Sequence, residues 1–506
     1  MGTRCGWTGP LSPRPEKTGT REGACDLSVV EIWRESTNSQ YKKKGRALCV
    51  CAREKKARML AVEPVRLRLI VHHVVLFTSL GTVTAQSGTI RIDWSGQAGP
   101  HLDVGVGAFG EVALSSCAHL PSPQDDVLWN RLEGAILGAL LADSLALRDH
   151  YEYSLDRTLS RGMIDQLRSP GTDNWTPGWP TGPTVFHPKR SAGELTDYGD
   201  NTLWTLRSAT YQRTVEQGAD VAGAPFVAEQ FYRHWVEAME THDGYVSSAA
   251  RAVWQGAMGA DGGRELGFGD MSGPARAAGL LAAFRDTEEL DSAARAVCGI
   301  SHDAESCNAA ALLVAVPHCS MRTGVSAREL LTSAVNGESS TRCPSLQALM
   351  SSSTIVRTCV MAALRSLDAA VSAHGEWVSG SSLGERDLRR DDEALESLSL
   401  QFGSSIVRQQ AMPKSSTIGR ALPEAIYLAL RYQNDLRAAF TANAMLGGDS
   451  AARAALVGSW AGAWHGSSAL PVDWLGELVA ATEAQKLMAA LRREACEEDQ
   501  EADEEY

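Results

Sequence analysis

The chain predicts an all-α protein, and three observations carry that prediction. Helical hydrophobic patterns follow one another from Trp129 onward and cover 226–256, 273–285, 289–300, 305–316, 326–335, 353–374, 391–411 and 422–445. Long strand-like alternation is absent. Two stretches place small residues at helical spacing: Gly134, Gly138, Ala142 and Ala146 form one ridge, and Ala451, Ala455, Gly458 and Gly462 form the other. Residues three and four apart share a helix face, and a face without bulk lets a second helix approach closely.

Composition bounds the rest. The 506 residues are 44% hydrophobic and 22% charged, enough for a large core and, on length alone, for two or three domains. A formal charge of −13 argues against a nucleic-acid-binding body. Residues 1–70 run the other way, with 15 Lys/Arg against 7 Asp/Glu. The 11 cysteines are scattered, odd in number and without a CxxC pair, so reduced, buried thiols are expected.

In chain order, residues 1–58 mix Pro, Gly, Lys and Arg without periodicity and read as a disordered basic segment. Within residues 59–125, the apolar run Leu69–Ala85 follows Arg66 and Arg68 and ends in Val83-Thr84-Ala85, a small-residue cleavage pattern. A targeting segment and a stray strand both fit this run, and it is too short for a stable membrane span. A Gly- and Ser-rich linker closes the region at Pro121-Ser122-Pro123. The folded body is expected over 126–485, and an acidic, solvated tail over 486–506, whose last ten residues hold seven acids. Compartment and oligomeric state stay open.

Inside the body, Leu132, Ile136, Leu137, Leu140 and Leu141 stripe the first helix, with Asp143 near its end. Residues 169–193 carry five prolines, long for a connection in a compact domain, which points to a working loop. His187 and Lys189 in it read as solvated or as phosphate contacts. Gly375–Arg390 is polar and glycine-rich and reads as a mobile excursion.

Two helix starts carry the chemistry. In Thr196-Asp197-Tyr198-Gly199-Asp200, Thr196 suits an N-cap, and Asp197 and Asp200 share one face. In Gly447-Gly448-Asp449-Ser450, the glycines allow backbone angles closed to other residues, and Asp449 falls at a cap position. Carboxylates beside a hydroxyl suit a hard cation such as Mg²⁺, and acids in a first turn equally suit plain capping. His150-Tyr151-Glu152-Tyr153 reads either as a base with a stacking platform or as an amphipathic helix end. His302 and His465 read as structural. No P-loop, nucleophile elbow or H-E-x-x-H is present.

Taken in order, three motifs resemble the ADP-ribosylglycohydrolase family, which includes the J-type crystallins. They are Gly134-xxx-Gly138-xxxx-Asp143-Ser144-Leu145, Gly193-Glu194-Leu195-Thr196-Asp197, and Gly447-Gly448-Asp449-Ser450 running to Gly458 and Gly462. Asp270-Met271-Ser272-Gly273-Pro274-Ala275-Arg276 adds to them. The resemblance implies an orthogonal multi-helix bundle with a two-magnesium centre that cleaves bonds to the anomeric carbon of ADP-ribose. It implies metal ligation by Thr196, Asp197 and Asp449, with Asp200 as a replacement acid and Asp197, Asp200 and Asp449 as the catalytic set. Asp143, His150, Glu152, Gly447, Gly448, Ser450 and Arg453 are expected at the substrate, with Arg453 placed to neutralise Asp449 or grip a phosphate. The departures are Tyr198, Ala451 and Ala452 where the family has two acids and a threonine, so at most one Mg²⁺ ion is expected. Those departures also fit a non-catalytic member, binding or structural like the crystallins. The retained acids in an intact glycine frame fit a hydrolase acting on an ADP-ribosylated substrate or a related nucleotide sugar.

Overall fold

A computed structural model describes residues 123–170, 186–214, 226–257, 268–338, 343–401 and 414–504. The basic segment, the candidate targeting run and residues 171–185 of the proline-rich loop lie outside them. In chain order the helices are α1 (Pro123–Ala146), α2 (Leu155–Ser160), α3 (Asp197–Thr214), α4 (Ala228–Thr241), α5 (Ser248–Ala257), α6 (Ser272–Arg276), α7 (Thr287–Gly299), α8 (Ala304–Thr323) and α9 (Ala327–Asn336). They continue as α10 (Pro344–Ser352), α11 (Thr354–His374), α12 (Glu385–Gln401), α13 (Ile418–Arg431), α14 (Leu436–Met445), α15 (Ser450–His465), α16 (Val472–Glu477) and α17 (Ala481–Glu504). Among the described residues the only β-type pairings are isolated bridges, so the all-α expectation holds. No described helix is long and apolar enough to cross a membrane.

The bundle is built around one seam. Helix α15 is buried from Ser450 to Ala463, and α1 is buried on all sides along Gly134–Ala146, as a central helix must be. The two small-residue ridges face each other. A Cβ on Gly138 would strike the carbonyl of Gly458, and one on Gly462 would strike that of Gly134. The backbones therefore touch, and that contact fixes the register of α1 against α15.

Local chemistry sets many helix starts. Asp286, Asp303, Ser326 and Asp435 each accept a backbone N–H of their own first turn. Several expectations shift. The helix expected over 226–256 breaks between α4 and α5. The one over 422–445 breaks at Tyr432–Asp435, where Asp435 caps α14. Helix α10 was not expected, and α12 begins at Glu385, inside the supposed excursion. The rest of that excursion is anchored: Trp377 donates its indole N–H to Asp435 at 3.3 Å and stacks edge-on against Tyr432. The acidic tail continues as the end of α17, whose Ala484, Met488 and Leu491 form one buried face. Cys319 and Cys343 form a disulfide with Cα atoms 5.8 Å apart, which corrects the all-thiol expectation; Cys298, Cys307 and Cys359 are buried thiols.

Candidate active site

The start of α15 and the start of α3 meet at the end of α1. Gly447 and Gly448 both adopt left-handed angles (φ 61° and 64°), as their sequence predicts. They need them because the backbone is pinned on two sides. Gly448 N–H donates to Glu152 O and Tyr151 N–H to Gly448 O, each at 2.6 Å, while Asp449 N–H donates to Lys414 O at 2.8 Å. The result throws the Asp449 side chain away from the helix it precedes. Asp449 makes no side-chain cap bond. One of its oxygens accepts the Tyr198 hydroxyl at 3.1 Å, and Oδ1 has no hydrogen-bond partner among the described residues.

The first acidic start is organised by Asp143. Its two oxygens accept the Thr196 amide (2.8 Å) and the Thr196 hydroxyl (2.6 Å), and Thr196 Oγ1 accepts the Tyr198 amide at 3.2 Å. Thr196 is thus a cap whose orientation α1 dictates. Gly199 makes this approach feasible, since a Cβ there would strike the Asp143 carboxylate. Burial, against the Thr196 bonds, pushes the Asp143 carboxyl up to about 6. With Thr196 so held, Asp197 lies within reach of the Asp449 charge, and its Oδ1 also has no hydrogen-bond partner among the described residues. Burial, then the Asp449 charge, holds the Asp197 carboxyl well above the usual range. Burial raises Asp449 to about 7, with the Tyr198 bond opposing.

Two histidines complete the floor. His150 Nδ1 stands 3.6 Å from Asp449 Oδ1, and His187 Nε2 stands 3.9 Å from Asp197 Oδ1. Both rings are buried, and burial depresses their basicity: His187 falls to about 3, His150 well below its ordinary value. Among the described residues, neither His187 nitrogen nor His150 Nε2 has a partner, and the Ser144 and Ser450 hydroxyls are likewise unpartnered. Rings wall this floor. Tyr151 packs on His150 at 3.8 Å between centroids and on Phe186 at 4.4 Å, and Tyr245 meets Phe186 edge-on at 5.0 Å.

The structure thus brings Asp143, His150, Thr196, Asp197, Asp449 and Ser450 together and turns three other expected residues elsewhere. Asp200 gives one oxygen to Arg190, although burial and the nearby Asp143 charge still raise its carboxyl to about 7. The Glu152 carboxylate is engaged by Arg161 at 3.1 Å and by its own loop through the Ser154 amide; its backbone, not its acid, serves the site. Arg453 is fully buried and grips Glu424 (3.2 Å), Asn443 Oδ1 (3.1 Å) and Gly447 O (2.6 Å), so it holds the glycine turn from behind rather than reaching a phosphate. His187 was expected to be solvated and is buried instead. Phe186 and Tyr245 gave no sequence signal. The His187 signal was the unusual length of the proline-rich segment that carries it.

A second histidine centre lies close by. His302 Nε2 lies 3.1 Å from Asp270 Oδ1, 3.0 Å from Ser272 Oγ and 3.1 Å from the Gly273 amide, and its Nδ1 lies 2.7 Å from Ser301 Oγ. This centre is fully bonded, as expected of a structural histidine.

An all-helical bundle whose acids converge from two distant helix starts is the architecture of a hydrolase-type family. A sequence model of the ADP-ribosylglycohydrolase family matches residues 123–502, and the chain belongs to that family. Among solved structures, an ADP-ribosylglycohydrolase-related protein complex is 18% identical, covering 73% of this chain and 99% of that one with a TM-score of 0.47. No curated protein matches. The family is typically metal-dependent, yet the paired-magnesium ligand set does not fit these residues. Tyr198, Ala451 and Ala452 replace ligands, Asp200 is paired with Arg190, and Thr196 and Asp143 are bonded to each other.

Proposed function

We propose that the chain is a hydrolase that cleaves the bond joining the anomeric carbon of an ADP-ribosyl group, or of a related nucleotide sugar, to its acceptor. The observation that carries this reading is the pair Asp197 and Asp449. They are remote in sequence, buried, close enough for their charges to interact, and each has an oxygen unpartnered among the described residues, beside the packed rings of Tyr151, Phe186 and Tyr245. Unpartnered buried polar atoms are costly, and a site retains them for a ligand that supplies the missing bonds.

In this reading the aromatic wall stacks the nucleobase. The floor where Asp197, His150 and His187 converge receives the ribose. Asp449 is the acid–base group. Its Oδ2 is steadied by Tyr198, and Oδ1 is free to take a proton from the attacking water while the leaving group departs with its own proton from solvent. A carboxyl lifted toward neutrality by burial suits that exchange. The test incubates the full chain with ADP-ribosylated peptide and with O-linked ADP-ribose conjugates and measures free ADP-ribose. Release that disappears in Asp449→Asn supports the reading; no release from either conjugate class overturns it.

A further inference from the structure

The geometry points to a mononuclear site for a first-row transition-metal dication of the zinc type, held by His150, His187 and Asp197. It replaces the paired magnesium ions that the family resemblance implies.

One donor atom from each of these residues can be chosen so that all lie within 4.8 Å of one another, and all three residues are buried. The spacing between donors is informative. His187 Nε2 and Asp197 Oδ1, 3.9 Å apart, are too far for a hydrogen bond, so no shared proton joins them. Ligands on one zinc ion sit roughly 2.0–2.2 Å from it, so neighbouring donors fall about 3–4 Å apart. The gap matches that edge. Among the described residues, both His187 nitrogens, His150 Nε2 and Asp197 Oδ1 are buried without a partner; an ion would take one nitrogen from each ring together with the carboxylate oxygen.

Donor type then selects the ion. Magnesium wants oxygen ligands in near-octahedral geometry and usually keeps several waters. Two imidazoles and one carboxylate suit Zn²⁺, Fe²⁺ or Mn²⁺, and they leave coordination positions for water. Asp449 stands 3.6 Å from His150 and adds the second negative charge that balances a dication with Asp197. Ligand placement is also fixed from outside. Tyr151 holds a left-handed backbone (φ 67°), unusual for a side-chain-bearing residue, and is bonded to Gly448, which sets the turn carrying His150. This assignment does not depend on the hydrolase reading.

The test uses the full chain stripped with a chelator. Zinc titration in competition with a chromophoric chelator, with Co²⁺ absorption as a reporter of nitrogen and oxygen ligation, should give one ion per chain and a rise in melting temperature. Millimolar Mg²⁺ should neither displace it nor produce that rise. His187→Asn should weaken zinc binding on the order of 100-fold or more, since even outer partners of metal ligands cost 10–100-fold. His374→Ala, on an exposed ring, should bind as the parent does. If His187→Asn does not fold, Asp197→Asn is read in its place, with circular dichroism confirming the fold. Displacement of zinc by Mg²⁺, two Mg²⁺ bound per chain, or an unweakened folded ligand variant would overturn the site. Zinc bound without any ADP-ribose release would sink the hydrolase reading alone. Release undiminished in the stripped chain would remove any need for this ion in catalysis, and stoichiometric zinc would still have to appear for the site to stand.

Discussion

Two histidine centres lie a few residues apart in space and differ in one respect. Around His302, each ring nitrogen and its neighbouring carboxylate has a protein partner. Around His150 and His187, five ring and carboxylate atoms have none. Both centres are buried and rich in the same residue types, so composition does not separate them; bonding does. A satisfied centre holds chain segments together, here α6 to the start of α8. An unsatisfied one tolerates a cost in the free protein that a ligand removes on binding. The glycines tell the same story: Gly273 lets the His302 ring close on the backbone, whereas Gly447 and Gly448 turn a buried acid toward Tyr198 and His150.

The comparison breaks most visibly at Asp449. Asp449→Asn should lower ADP-ribose release by about 10²–10⁴, the usual worth of an acid–base group, while its melting temperature stays level or rises because an ill-solvated carboxyl has been neutralised. A fall in melting temperature with activity intact would place Asp449 among the structural residues.

A third histidine sharpens the contrast through pH. His318 is bonded to Thr287 Oγ1 and Arg322 Nε, and burial, then the Arg322 charge, depresses it to about 4. Its folded value lies below its unfolded one of 6.5, so its stabilising contribution is full above 6.5 and is lost as pH falls toward 4. The slope is at most about 1.4 kcal/mol per pH unit. His318→Asn should flatten that part of the stability–pH curve, measured by denaturant melts. An unchanged curve would show that His318 titrates normally.

His302→Ala comes next. It leaves the Gly273 amide and the Ser272, Ser301 and Asp270 groups short of a partner, and should cost about 1–3 kcal/mol of stability. Metal affinity should not change, and any loss of turnover should be small. A loss of turnover as large as that of Asp449→Asn would merge the two centres into one. The smallest effect is expected at the wall. Phe186→Ala removes one ring of the wall and its contacts with Tyr151 and Tyr245, each aromatic pair worth about 0.5–1.5 kcal/mol, and should raise KM several-fold with kcat nearly unchanged. An unchanged KM would remove Phe186 from substrate contact.

What was legible in the sequence follows from periodicity. The two ridges, the glycine turn and the Thr196 cap are local patterns, and each appears where spacing put it, while the helix succession holds except for the breaks within 226–256 and 422–445 and the unexpected α10. Failures occurred where a distant partner decides. Arg453 reads as a phosphate anchor until Glu424, contributed by α13, neutralises it. Asp200 reads as a ligand until Arg190 takes it. His187 sits in an irregular, proline-rich stretch with no period to betray burial, and Cys319 finds Cys343 across a helix–helix connection that no CxxC spacing announces. Position along the chain predicts which way a residue faces on its helix but not what waits there.

The glycine seam between α1 and α15 also sets a tolerance. His150 hangs from the far end of one of these rods and Asp449 from the near end of the other, and the rods meet backbone to backbone with no side chain to compress. The aperture between the two residues therefore has little freedom to breathe. A methyl group at Gly138 or Gly458, more than ten ångströms of helix away, would pry the two rods apart and shift His150 against Asp449, although neither glycine comes near that pair.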